Sequence, residues 1–166
     1  MNAYLIWFIL VVLALFQSTV MPRITIMGIH PDLILMVVIS WSLLRGAEEG
    51  MLLAVIGGVP LDLISEATFG IHTLALLFTA FVSGFGQRTV FRSEVLMPIL
   101  AIPIATLVYE LIILSGLFLT GWPVAWGTQI TQVVLPCMAA NTVCMPFVYL
   151  IVRVLHRRTQ RERMTV

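Results

Sequence analysis

Apolar blocks follow one another along nearly the whole chain, separated by connections too short to fold by themselves. The blocks run from about Ala3 to Met21, Pro31 to Leu44, Met51 to Ile64, Ile71 to Phe85, Val95 to Leu119 and Gln129 to Leu155. Each is dense in Leu, Ile, Val, Met and Phe, the pattern of helices that lie in hydrocarbon or inside protein. The 166 residues are 60% hydrophobic and 10% charged, whereas soluble domains carry about 25% charge. Packing in water cannot hide that much apolar surface. The class that follows is an all-α integral membrane protein of about six transmembrane helices, a single polytopic domain over residues 1–166 with a short basic tail over 153–166.

Several functions are excluded at this level. All nine basic residues are arginine, so a phosphate loop of the GxxxxGK[ST] type is absent. A net charge of +1 provides no basic face for nucleic acid. The start, MNAYLIWFILVVLALFQSTVM, lacks the positive region of a signal peptide, and its apolar run is as long as a crossing, so it reads as a retained helix. Cys137 and Cys144 stand seven apart in one apolar block, roughly 10 Å along a helix axis and too far apart to bridge. They read as small core residues.

The second and third blocks are the short ones. Pro31 to Leu44 is 14 residues, about 21 Å of helix against a hydrocarbon core near 30 Å. Joined by RGAEEG, these blocks read either as two thin or tilted spans or as a re-entrant hairpin that never crosses. Two spans is the reading adopted, because the apolar stretch Ile24 to Met27 extends the first and neighbouring helices can cover it. Arginine placement agrees. With six crossings Arg45, Arg88, Arg92 and the five arginines of the tail share a side, and only Arg23 lies opposite. The positive-inside rule then puts both termini in the cytoplasm.

Charge and glycine concentrate in GGVPLDLISEATFGIHTL, Gly57 to Leu74. Gly57, Gly58 and Pro60 loosen the end of the third helix, and Ser65, Thr68 and Gly70 supply a turn into the fourth. Asp62 follows an apolar run, and an ionisable residue at such depth is a candidate for function or assembly. At the head of the second helix Pro31 occupies a position where proline is tolerated, and Asp32 suits the positive helix end. In the six-crossing topology His30, Asp32, Asp62, Glu66 and His72 fall at the outer ends of helices 2 to 4, with Glu110 in the outer half of helix 5.

Those residues admit a ligand pocket, a metal site or structural satisfaction. No pair has the close spacing of HExxH, so neither metal nor cofactor is expected. In the structural reading Asp32 serves its own helix end, and a neighbouring amide or hydroxyl meets Asp62. Glu110 is apolar-flanked for several turns, and Gln129 and Gln132 are suitable partners, with Asn141 and Thr142 acting likewise on another face. Ser65 and His72 are close in sequence but lack a third orienting group and a GxSxG elbow, so the chain reads as a non-enzyme. The tail, five arginines with His156, reads as a positive-inside anchor, a binder of anionic headgroups or a docking site for a cytoplasmic protein.

The run HPDLILMVVISWSLLRG, the following GGVPLDLISEATFGIHTLAL, and a closing apolar helix with a basic tail together resemble the MreD family of bacterial rod shape-determining membrane proteins. Its sharpest marks are Pro31 with Asp32, Gly57 and Asp62, and Gly70 with Leu74. The resemblance implies a non-enzymatic subunit of the lateral wall-elongation machinery in the bacterial cytoplasmic membrane. Its expected partners are the bitopic MreC, the actin-like MreB on the cytoplasmic side, and a wall polymerase and transpeptidase pair. It also implies a fold like that of the substrate-binding subunits of energy-coupling-factor vitamin transporters. The alternative function is therefore a vitamin-binding subunit, with His30, Asp32, Asp62 and His72 lining an outward pocket. In the scaffold reading helices 2 and 3 form a groove for a partner's helix, and Asp62 locks the bend that shapes it. Pro31, Asp32, Gly57, Asp62, Gly70 and Glu110 are the candidate structural or interface residues.

Overall fold

The computed structural model describes residues 3–19, 31–65, 68–86 and 96–163. His30, Glu66, Arg23, Arg88 and Arg92 lie outside them. The described chain is all helical: α1 Ala3–Thr19, α2 Leu33–Arg45, α3 Ala47–Ile64, α4 Ile71–Gly86 and α5 Leu96–Leu119. A sixth helix, α6, opens with Trp126–Gln129, widens into a π-helical turn at Ile130–Val134 and continues as Leu135–Arg163. Among the described residues two helices, Pro98–Leu119 and Trp126–His156, are long and apolar enough to cross a membrane, whereas Phe8–Gln17, Leu33–Arg45 and Ile71–Phe85 are apolar but shorter.

The shortest helix is the central one. α2 packs against each of the other five, and Ile34, Leu35, Met36, Val38 and Ile39 are wholly covered. A helix that is apolar all round is stable only when it is enclosed on every side. Only Leu33, Val37, Leu44 and Arg45 of α2 are partly exposed, so most of its surface is taken up by the other helices. The outer helices expose Leu100, Ile104, Val143, Phe147 and Ile151, an apolar surface fit for lipid.

Two boundaries differ from the sequence reading. RGAEEG is not a loop, because Gly46 alone joins α2 to α3 and Ala47, Glu48 and Glu49 form the first turn of α3. Gly46 has φ of 95°, a conformation that side chains disfavour, and its N–H closes the end of α2 on the Ser42 carbonyl at 2.8 Å. The two acidic residues then sit at the positive end of α3, which is 18 residues rather than 14. α6 likewise starts at Trp126 instead of Gln129. Its π-helical turn ends beside Pro136, where Leu135 N–H reaches back to the Ile130 carbonyl. Proline has no N–H to give the preceding turn, and a widened turn is how a helix absorbs such a gap.

Small residues let these helices approach closely. A Cβ on Gly50 would fall on the Ser42 side chain, and one on Gly57 would lie 2.9 Å from Ile34 Cγ2. One on Gly58 would come within 2.7 Å of Thr73 Cα, and one on Gly84 within 2.4 Å of Ala47 backbone. The α3 glycines therefore set the spacing to α2 and α4, and Gly84 seats α4 against the start of α3.

Candidate functional site

The first amides of a helix have no partner inside it and must find one elsewhere. For α4 that partner comes from α3. Asp62, 4% exposed, accepts the His72 N–H on Oδ1 at 2.9 Å and the Thr73 N–H on Oδ2 at 3.0 Å. The Thr73 hydroxyl donates to the same Oδ2. Asp62 is thus a cap delivered across a helical corner, its charge opposite the positive end of α4. Gly58, one turn earlier, brings the backbones close enough for this reach. Gly70, at φ 99°, turns the chain into α4 and accepts the Leu74 N–H at 2.9 Å.

α2 begins in a second network. Asp32 caps its own helix, Oδ1 accepting from the Leu35 N–H at 2.9 Å. Gln17 of α1 reaches in twice: its amide nitrogen donates to Asp32 Oδ1 at 2.9 Å, and its oxygen accepts the Ile34 N–H at 3.0 Å. The Asp32 N–H donates to Asn141 Oδ1 of α6 at 2.8 Å, and Asn141 Nδ2 donates to Thr106 Oγ1 of α5 at 3.1 Å. Asn141 and Thr106 are fully buried, so each of these bonds replaces one with water that is no longer possible.

His72 connects the two networks. Its Nδ1 lies 3.1 Å from the Tyr109 hydroxyl and its Nε2 lies 3.2 Å from Ser65 Oγ. Tyr109, 2% exposed, is also within interaction range of Asp32. One polar layer therefore contains Gln17, Asp32, Asp62 with Ser65, His72 with Thr73, Thr106 with Tyr109, and Asn141, a contribution from every helix.

The opposite end of α2 holds a smaller cluster. Arg45 Nη1 contacts both Glu49 carboxylate oxygens at 3.0 and 2.9 Å, and its guanidinium lies over the Trp41 ring at 5.2 Å. Trp41 Nε1 donates to Glu49 Oε2 at 3.1 Å, and Arg45 Nε donates to His156 Nδ1 at 2.9 Å. The corner at Gly46 is thereby tied to the far end of α6.

Of the sequence candidates, Asp32 and Asp62 fall in the polar layer, Gly57 lies behind it against Ile34, and Pro31 and Gly70 frame the starts of α2 and α4. Glu110 is half-buried beside Tyr109, and among the described residues it makes no hydrogen bond to Gln129 or Gln132. Gln132 is exposed. Sequence reasoning missed Tyr109, Thr73 and Thr106 altogether, along with the Trp41, Glu49 and His156 cluster. Gln17 was legible only as a polar group needing a partner. A signal existed in Gln17 and Asn141, single amides in long apolar runs, which in hydrocarbon seek one another or a backbone group.

The arrangement resembles a relay in one respect, since Ser65 and Tyr109 flank the His72 ring. The α4 amides that would stabilise an oxyanion are instead held by the Asp62 carboxylate. Among the described residues no group of three or more His, Cys, Asp and Glu is placed to hold a metal. A family model described as rod shape-determining protein MreD matches residues 1–159, the stretch that carries the whole polar layer. The chain belongs to the MreD family. No curated protein and no solved structure matches it. An MreD assignment carries a role in rod shape determination and association with the membrane, and the family is not a known enzyme family.

Proposed function

We propose that this MreD-family protein is a non-enzymatic scaffold of the wall-elongation machinery, crossing the cytoplasmic membrane six times with both termini in the cytoplasm. It binds the transmembrane helix of MreC and, with MreB and a wall polymerase and transpeptidase pair, organises lateral peptidoglycan synthesis. The observation that carries this reading is the polar layer. Asp32, Asp62, His72 and Asn141 are engaged with one another and with helix ends, whereas a vitamin-binding subunit needs such groups converging on a hollow.

With α2 enclosed, the surface offered to MreC moves to α3 and α1. Val11 and Leu15 of α1 and Val55, Val59, Leu63 and Ile64 of α3 border an apolar groove of about 500 Å³. It runs along α3 as far as Leu63 and Ile64, the neighbours of the capped Asp62. The capped corner behind it holds the groove wall in shape.

The test is gentle detergent purification of the tagged protein from its own host, with identification of the co-purifying proteins. MreC and wall-synthesis enzymes are expected, and their recovery falls when Val55→Trp blocks the groove at unchanged abundance. Recovery of a coupling subunit with ATPases, or of a bound vitamin, overturns the proposal.

A further inference from the structure

A second groove opens on the other side of α1. Leu13 of α1, Val37 and Trp41 of α2, and Val148, Val152 and Leu155 of α6 border a space of about 310 Å³. Its lining is apolar throughout. A lining with no polar surface is matched to hydrocarbon.

Its surroundings are asymmetric in charge. The α6 stripe Val148, Ile151, Val152 and Leu155 runs without a break into the rest of the helix, which continues to Arg163. Residues 153–163 hold five arginines against Glu162, a net +4 with His156 neutral. Arg157 and Arg158 follow Leu155 within three residues in the sequence. Of the two carboxylates in the first turn of α3, Glu48 and Glu49, Glu49 is held by Arg45 and Trp41. Opposite, the first turns of α1 carry no acidic residue.

We propose that this groove is a binding site for an anionic phospholipid, with one acyl chain between α1 and α6 against Trp41 and the phosphate at the arginine-rich end of α6. Lipid tails are as apolar as the groove, so the chain contributes fit and little affinity. Selectivity comes from the headgroup, at about a fivefold preference for each arginine that the phosphate engages. The site stands independently of the rod-shape reading.

Trp41 is a reporter already in place. In a protein carrying Trp7→Phe, Trp122→Phe and Trp126→Phe, its fluorescence is followed in vesicles containing phosphatidylcholine or phosphatidylglycerol brominated on the acyl chain. Brominated phosphatidylglycerol is expected to half-quench at a mole fraction at least about fivefold lower than brominated phosphatidylcholine. Arg157→Gln with Arg158→Gln should remove most of that difference while quenching by phosphatidylcholine persists. Equal quenching by the two lipids, or a preference untouched by the double substitution, overturns the site. So does the absence of quenching by either, which leaves the groove to protein.

Discussion

A carboxylate inside an apolar bundle needs donors, and Asp62 has three, two of them amides that would otherwise be orphans at the start of α4. Removing it is costly twice over, through the lost cap and through buried N–H groups left without a partner. Asp62→Ala is expected to lower stability by about 2–3 kcal/mol and Asp62→Asn by about half that, because the amide keeps one acceptor oxygen. Thermal unfolding in detergent checks the order, and equal effects of the two substitutions would show that the carboxylate is not the cap. In cells, Asp62→Ala is expected to lower the protein's abundance or its recovery of the proposed MreC partner, and unchanged recovery at equal abundance would overturn that expectation. The need of Asp62 and Asp32 for partners was legible from their depth in apolar sequence, but the identity of the partners was not. Asn141 is 109 residues from Asp32, and nothing local in either segment names the other. Glu110 shows the same limit from the other side: Gln129 and Gln132 were plausible by composition, but the π-helical turn at 130–134 resets the faces of α6.

Among the elements, helix existence was legible and helix ends were less so. Apolar length placed α1, α4 and α5 within a few residues of their limits, since hydrocarbon-compatible runs and terminating glycines mark them. The start of α3 was hidden because Glu48 and Glu49 look like loop residues until Gly46 is seen to turn the chain in a single step. That α2 lies at the centre was also illegible, as a fully apolar helix reads alike whether lipid or protein surrounds it. Close packing at the glycines gives a graded expectation. Gly84→Ala, which meets the Ala47 backbone, should cost about 3 kcal/mol as an overpacking. Gly57→Ala, which meets only the end of the Ile34 side chain, should cost less than about 1 kcal/mol, partly offset by the better helix propensity of alanine. Unfolding temperatures of the two variants, measured side by side, decide whether backbone contact or side-chain contact governs these crossings.

For the whole molecule, membrane residence followed from composition and rod-shape membership from the order of motifs, while the polar layer that joins all six helices appears only in three dimensions. Reporter fusions at either terminus should be active in the cytoplasm only, and a terminus active outside would remove the six-crossing arrangement. The bond between Asp32 and Asn141 has a consequence for how the chain is made. Synthesis proceeds at about 5–20 residues per second, so the 109 residues between them take roughly 5–20 s to follow. During that interval the central helix already exists but its first turn is incomplete, and water or a helper protein must serve the Asp32 amide. The helix around which the bundle is built is synthesised second and finished last.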